Sequence, residues 1–425
     1  MIPAHAASVS SDTLRAIAAE VGTPVYVYDA RAIDAGAARW TGCVADPARI
    51  CFAAKANSNL AVLARLERHG IGLEVATPGE LGRGLAAGFA APRIVLGGVP
   101  KSDAAVEAGL RAGVGLLVLQ SEREVEAALR LADGAAAGAV RADAAGADGA
   151  DGPLQVGIRV RPGIRAGAHP SLETGREDAK FGFPPDGVED AWRALAASRR
   201  IRPTTLAVHL GSGLPDAGPY ERALDVILGL ADRIGRDGPP VAEIDIGGGL
   251  GIAYDRADGD PEPADLVARV ERRLAGSEMV ARYEPGRSVV ARAGVLLTRV
   301  LYRRERDGAP ALVCDAGYTD FARYALYGGQ HRVLPVGGRE EGEPTVEVLG
   351  PTCESGDVLG TARRLHGVRA DDLLAMRDAG AYGFVMASNY NSRPRPAEVL
   401  VDGDGWRVVR PRERLEDLWR HETVA

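Results

Sequence analysis

Eight short apolar runs, each followed by a stretch with helical spacing, occupy residues 24 to 287 and constrain this chain more than any other feature. The strand candidates are 50–55, 71–76, 93–97, 115–120, 154–161, 204–210, 241–246 and 279–284. Between them lie amphipathic segments such as Leu60 to His69 and Pro78 to Ala87. Strands that alternate with helices imply a parallel sheet, and eight such units in this length imply a closed (β/α)8 barrel. An open doubly wound sheet is the rival. It would carry a glycine fingerprint after its first strand, and none is there.

Beyond residue 288 the texture changes. Val-rich runs at 295–302, 311–314, 345–349, 382–387 and 397–401, broken by Gly, Pro and Asp, read as strands of a second, β-rich domain. The run Thr23 to Tyr28 reads as one more strand that joins it. The expected division is therefore a barrel over 30–287 and a sandwich- or barrel-like β domain from 1–29 plus 288–425. Residues 133–153 are almost entirely Ala, Gly, Asp and Arg and read as a low-complexity insertion.

Composition narrows the function classes. A formal net charge of −7 over 425 residues argues against a nucleic-acid partner held by phosphate neutralisation. No apolar run reaches the ~20 residues of a membrane span. Met1 to Ser11 lacks the basic start and apolar stretch of a leader, so a cytoplasmic chain is expected. The four cysteines are widely spaced with no CxxC pair, which argues against a structural metal or a disulfide framework.

Lysine is nearly absent: of 51 basic residues only Lys55, Lys101 and Lys180 are lysines. Lys55 follows the first barrel run in Phe52-Ala53-Ala54-Lys55-Ala56-Asn57. In a (β/α)8 barrel the chemistry sits at the C-terminal ends of strands. A partly desolvated amine there can lose its proton and form a Schiff base. A lone lysine at a strand end is more often a surface residue. The other strand ends change that balance. They carry His209 in HLGSG, the run Gly247-Gly248-Gly249, and Glu284 in EPGR. The glycine run does not satisfy G-x-G-x-x-G and alone is only a flexible turn. Beside Ser212 and Arg287 it suggests a phosphate cradle, because backbone N–H groups without side chains can approach phosphate oxygens. An amine, a phosphate cradle and a carboxylate at one barrel mouth fit pyridoxal phosphate.

These stretches, together with FAAKANSNLAVL (52–63), TGREDAKFGF (174–183), IDIGGGLGI (244–252), DAGYTDFARYALYG (315–328), GPTCESGDVLG (350–360) and GAYGFVMASNYNSRPRPAEVLV (380–401), are specific. The chain resembles the alanine-racemase-fold pyridoxal-phosphate decarboxylases, and among them the diaminopimelate decarboxylases. The resemblance implies a carboxy-lyase acting on meso-2,6-diaminopimelate and yielding L-lysine and carbon dioxide. It implies that Lys55 holds the cofactor and His209 stacks on its ring. Ser212, Gly248, Gly249, Gly286 and Arg287 would hold its phosphate, and Glu284 would face the ring nitrogen. Arg287, Arg323 and Tyr327 would grip the substrate's distal carboxylate, with Glu354 on the distal ammonium. Cys353 would be the proton donor, and Tyr382 would touch both cofactor and substrate. It also implies a homodimer in which Cys353 and Glu354 act across the two-fold.

Three positions depart from the family pattern: Gly213 for Gln, Tyr324 after Arg323, and Glu74 for Asp on the second strand. The rival readings are decarboxylation of ornithine, arginine, carboxynorspermidine or a secondary-metabolism substrate, and a non-catalytic partner-binding homologue. Glu354 and Arg323 favour diaminopimelate over the first. Lys55, His209, Glu284 and Cys353 argue against the second.

Overall fold

The computed structural model describes residues 8–134, 152–167, 169–254, 259–306, 308–338, 341–342 and 345–424. Most of the low-complexity insertion, 135–151, lies outside them. The chain divides into two compact units. One comprises Ala37–Ile252 and Asp260–Gly286, the other Met1–Gly36, Ala253–Gly259 and Arg287–Ala425. The division differs from the expected one in two places. Residues 30–36 belong with the β-rich unit, and so does the short stretch 253–259.

The first strand, β1 (Val25–Asp29), belongs to the β-rich unit. The other unit contains an eight-stranded parallel sheet. Its strands are β2 (Cys51–Ala53), β3 (Gly72–Val75), β4 (Ile94–Leu96), β5 (Leu116–Leu119), β6 (Leu154–Arg159), β7 (Ile201–Ala207), β8 (Glu243–Asp245) and β9 (Val280–Arg282). They pair in sequence order. Every sequence-derived barrel strand is present, shortened by a residue or more at most ends. The sheet closes on itself. Ile50 bridges Tyr283, Cys51 N–H donates to Tyr283 O at 2.8 Å, and Ala53 N–H donates to Pro285 O at 3.0 Å.

Helices follow the strands because the intervening segments carry an apolar stripe, and those after β3 and β4 are capped as well. Thr77 accepts from Glu80 N–H ahead of Pro78–Ala86, and Ser102 accepts from Ala105 N–H ahead of Asp103–Ala112. The strands are too short for alternation to show, and β3, β4 and β5 are buried along their whole length. One charged pair sits among the strands. Arg282 Nε and Nη2 donate to the two Glu243 oxygens, each at 2.8 Å, and Arg282 Nη1 donates to Cys51 Sγ at 3.2 Å. Burial pushes the Cys51 thiol up to about 12, so it stays protonated.

The second unit is a mixed nine-stranded sheet: β1 with β10 (Gly294–Arg306), β11 (Ala309–Cys314), β12 (Val333–Pro335), β13 (Val346–Leu349), β14 (Val358–Arg363), β15 (Leu373–Arg377), β16 (Ala397–Asp402) and β17 (Gly405–Arg410). The thirteen residues of β10 organise it. Their first half pairs with β1 and β15, and their second half with β11. As expected, β1 joins this sheet, lying between β10 and β16. Val25, Val27, Val295, Leu297, Ala397 and Val399 form its core, against which Leu14 and Ile17 of the Ser11–Glu20 helix pack.

One expected strand is absent. Residues 382–387 form a tight turn, with Tyr382 at φ 56°, followed by the 3-10 turn Phe384–Met386. Ring contacts override the β-forming sequence. Phe384 packs edge-on to Tyr26 at 6.0 Å, and Tyr382 lies under the Arg287 guanidinium at 4.8 Å.

The turn after β11 sets the start of the Arg323–Tyr327 helix. Asp320, 3% exposed, accepts from Gly317 N–H at 2.9 Å. Burial pushes its carboxyl up to about 6. The unfolded value is about 3.9, so the folded chain holds this proton more tightly. The associated stabilisation is complete below about pH 4 and is lost as pH rises through about 6. Between pH 5 and 7.5 the wild type should therefore lose on the order of 1 kcal/mol more than Asp320→Asn, compared by urea denaturation. Equal losses in both proteins would show that Asp320 is charged in the fold at pH 5.

Candidate active site

At the C-terminal mouth of the barrel unit, five strand ends carry the residues singled out from sequence. Lys55 sits in the 3-10 turn Ala54–Ala56 that ends β2, its side chain 39% exposed. Its Nζ donates to Glu74 Oε2 at 3.0 Å, and the Glu74 carboxylate, at the end of β3, is only 3% exposed. The departure at Glu74 thus still places an acid against the lysine. Lys101 is different. It is buried, and its Nζ donates to Gly98 O at 2.7 Å and Glu124 Oε2 at 3.2 Å, so it braces two strand ends. Lys180 is exposed, its ammonium 5.4 Å from the Phe181 ring centroid.

Beyond β7, His209 accepts a hydrogen bond at Nδ1 from Gly248 N–H at 3.2 Å. Burial, followed by the charges of Lys55 and Arg159, holds its pKa well below the usual imidazole value, so the ring is neutral. The loops after β7 and β8 are stitched together. Gly213 N–H and Leu214 N–H both donate to Gly249 O at 2.9 Å, and Gly251 N–H returns to Leu214 O at 2.9 Å. This pairing brings Ser212 beside Gly248 and Gly249. Glycine is required at both of the latter. A Cβ on Gly248 would lie 2.1 Å from Glu284 O, and Gly249 has φ +119°. Gly286 leaves a similar side-chain-free surface, since a Cβ there would lie 2.9 Å from that of Ala56. At Gly213 nothing lies within 4 Å of such a Cβ, so the missing glutamine leaves open space.

Glu284 ends β9. Burial and then the Asp245 and Glu74 carboxylates push its pKa well above the usual carboxylate range. Asp245, 1% exposed, is raised for the same first reason. Its Oδ1 accepts from Gly247 N–H at 2.7 Å, while Oδ2 has no hydrogen-bond partner among the described residues. A buried acid raised by neighbouring acids is stabilised by a cation, which a protonated pyridine nitrogen would provide. The side-chain-free cradle, the amine on a strand end and this acid together fit pyridoxal phosphate.

The β-rich unit gathers a second set of residues around Tyr254. Arg287 Nη1 donates to the Tyr254 hydroxyl at 2.5 Å, and its guanidinium lies 4.8 Å from the Tyr382 ring. The Arg323 guanidinium lies 4.9 Å from the Tyr254 ring. Arg323 is 4% exposed, and its Nη1 has no hydrogen-bond partner among the described residues. Burial lowers its pKa, and the Arg287 charge adds to that effect. Tyr327 is one turn further along the same helix and close enough to interact with both guanidiniums. Tyr324 packs away on another side, with its hydroxyl 3.2 Å from that of Thr361.

Cys353 and Glu354 are not part of this group. Both are exposed. Cys353 N–H donates to Asn391 Oδ1 at 3.1 Å, and the Tyr390 hydroxyl donates to Glu354. Sequence reasoning missed Tyr254, His331 and Asp245. Asp245 was visible as an acid two positions before the glycine run. Tyr254 and His331 are far apart in sequence and carry no local pattern. Among the described residues no cluster of three His, Cys, Asp or Glu could hold a metal, and no helix is long and apolar enough to cross a membrane.

Comparison with known proteins agrees with this chemistry. Residues 30–291 match the model for the pyridoxal-binding domain of pyridoxal-dependent decarboxylases. The chain is 39% identical to the diaminopimelate decarboxylase of Pseudomonas fluorescens over 97% of its own length and 95% of that protein. It is 36% identical to that of Vibrio cholerae over 96% and 94%. The Helicobacter pylori diaminopimelate decarboxylase, solved in complex with L-lysine, superposes with a TM-score of 0.88 at 31% identity, covering 96% of this chain and 99% of that one. With the family model matching residues 30–291 and identity at this level along nearly the whole chain, the protein belongs to the diaminopimelate decarboxylase family of pyridoxal-dependent decarboxylases.

Proposed function

We propose that this chain decarboxylates meso-2,6-diaminopimelate to L-lysine and carbon dioxide, the last step of lysine biosynthesis. The observation that carries the substrate choice is Arg323: a guanidinium 4% exposed with an Nη1 that finds no partner among the described residues. A buried cationic donor left unpaired is costly, so the site calls for an anion. A substrate with a second carboxylate, remote from the reacting carbon, supplies it. Ornithine, arginine and lysine do not.

Pyridoxal phosphate, when bound, provides a covalent link to the substrate amine and a ring that accepts the electron pair of the breaking bond. Lys55 would hold the cofactor, with Glu74 as the acid beside its amine. Glu284 would keep a proton on the ring nitrogen. His209, fixed by Gly248 N–H as a neutral ring, would cover one face. Ser212, Gly248, Gly249, Gly286 and Arg287 would hold the phosphate end. Arg287, Arg323 and Tyr327 would bind the intact carboxylate of the substrate, and Tyr382 would contact substrate and cofactor. Holding that end fixes which carbon lies at the reacting position. The bond from that carbon to its carboxylate breaks, carbon dioxide leaves, and Cys353 would return a proton to the carbon, with Glu354 on the distal ammonium.

We also propose that the chain acts as a homodimer in the cytoplasm. Cys353 and Glu354 are exposed on the single chain, and Tyr390 and Leu326 are exposed as well, at 41% and 53%. A proton donor on an open surface is suited to completing the site of a second copy. All four cysteines are free thiols, which suits a reducing compartment.

Three outcomes test this reading. Borohydride reduction of the yellow holoenzyme should fix the cofactor to Lys55, and Lys55→Ala should abolish the band. An adduct on Lys101 or Lys180 would refute the assignment. Arg323→Ala should lower kcat/KM for meso-diaminopimelate at least ~100-fold, equivalent to about 2.7 kcal/mol at the transition state, with cofactor absorbance intact. A neutral effect would remove the basis for the substrate choice. Finally, mixing inactive Lys55→Ala with inactive Cys353→Ala should restore about a quarter of wild-type activity, because half the dimers would carry one intact site. No recovery from proven heterodimers would exclude a shared site.

A further inference from the structure

The β-rich unit holds a histidine that none of these roles uses. His331 is fully buried, 0% exposed. Both ring nitrogens are occupied. Nδ1 lies 2.9 Å from the Arg377 carbonyl oxygen, which can only accept, so Nδ1 carries the proton. Nε2 then presents a lone pair, and Arg323 Nε–H donates to it at 3.1 Å. The tautomer is fixed by the carbonyl, and the lone pair in turn fixes the guanidinium.

The ring cannot turn away from this arrangement. Phe321 packs edge-on against it at 4.7 Å between centroids, and Tyr254 packs at 4.4 Å. Protonation would place a ring N–H against the Arg323 Nε–H and a further positive charge beside Arg323, Arg287 and Arg363. Complete burial, and then those charges, hold the imidazole pKa well below its usual value. The loop that carries the ring back toward Arg323 starts at Gly328, in the left-handed region at φ 62°.

A guanidinium is a planar fork, so fixing Nε on one edge fixes where the two Nη groups point. With Nε held by His331, Nη1 remains the donor without a partner among the described residues. We infer that His331 is a positioning residue whose Nε2 lone pair sets the orientation of Arg323, so that the guanidinium meets the substrate's distal carboxylate without first being reordered. This rests on the reading of Arg323 as the carboxylate clamp.

The test compares His331→Leu, which fills the space without an acceptor, with His331→Gln, whose amide oxygen can accept from Arg323 Nε. His331→Met replaces the leucine variant if that protein does not fold, as judged by circular dichroism. The first readout is calorimetric binding of pimelate, a seven-carbon dicarboxylate without amines, to each holoenzyme. His331→Leu should weaken pimelate at least ~10-fold, and His331→Gln should stay within about 3-fold of wild type. In an Arg323→Ala background, His331→Leu should add nothing, because the two residues act as one unit. The second readout is kinetic: the KM for meso-diaminopimelate should rise ~10-fold while kcat changes less than about 3-fold, with unchanged cofactor absorbance.

Equal loss in the leucine and glutamine variants would make His331 a packing residue and overturn the inference. So would a full additional loss in the Arg323→Ala background, or a wild type that does not bind pimelate. A wild type that binds pimelate through Arg323 but does not turn over meso-diaminopimelate would overturn the substrate assignment alone, and the pimelate comparison would still decide the role of His331.

Discussion

The pairing of residues 49–53 with 283–285 is the contact on which the barrel site depends. It joins the last strand of the sheet to the first, through Ile50 and Tyr283, Cys51 N–H to Tyr283 O and Ala53 N–H to Pro285 O. Parallel strands in a closed ring place all their C-terminal ends on one side. Lys55 is two residues beyond β2 and Glu284 two residues beyond β9, so the same closure that completes the sheet brings the amine and the acid to adjacent strand ends. Without it, residues more than two hundred positions apart would have no reason to share an electrostatic environment. With it, Glu284 feels the charges of Asp245, Glu74 and Lys55, and Arg159 feels those of Glu284, Glu74 and Asp245.

The two sets of site residues rest on different physics. At the barrel mouth, backbone does most of the work: glycines leave room, and the loops after β7 and β8 are tied by three hydrogen bonds. A mutation there acts through sterics, since a single methyl on Gly248 would collide with Glu284 O. In the β-rich unit, side chains do the work. Arginines lie over tyrosine rings, and a neutral histidine accepts from Arg323 Nε. Stacking leaves the in-plane donors of a guanidinium available, which a second arginine packed among carboxylates would not do.

The barrel was legible because its strands are buried on both faces and read as unbroken apolar runs, such as Leu116 to Leu119 between clear helical stretches. The second unit was less so. Strands β14, β15 and β17 end in or contain Arg and carry no clean alternation, and β17 is largely exposed. The run 382–387 looked like a strand because its residues favour strands, but ring packing of Tyr382 and Phe384 decided its path. At the site, Lys55, His209 and Glu284 could be found because each ends a recognisable strand. Tyr254 and His331 could not, because they meet only through the tertiary fold.

Under the proposed function, recognition turns on a second carboxylate of the substrate. The most direct measurement is carbon dioxide release by the wild-type holoenzyme from meso-diaminopimelate, L-lysine, L-ornithine and L-arginine at equal concentration. A site whose buried donor is left unpaired by the wrong substrate rejects that substrate by orders of magnitude. Release is expected from meso-diaminopimelate with L-lysine as the product, and at rates at least ~100-fold lower from the other three. Comparable release from lysine, ornithine or arginine would contradict the proposed function.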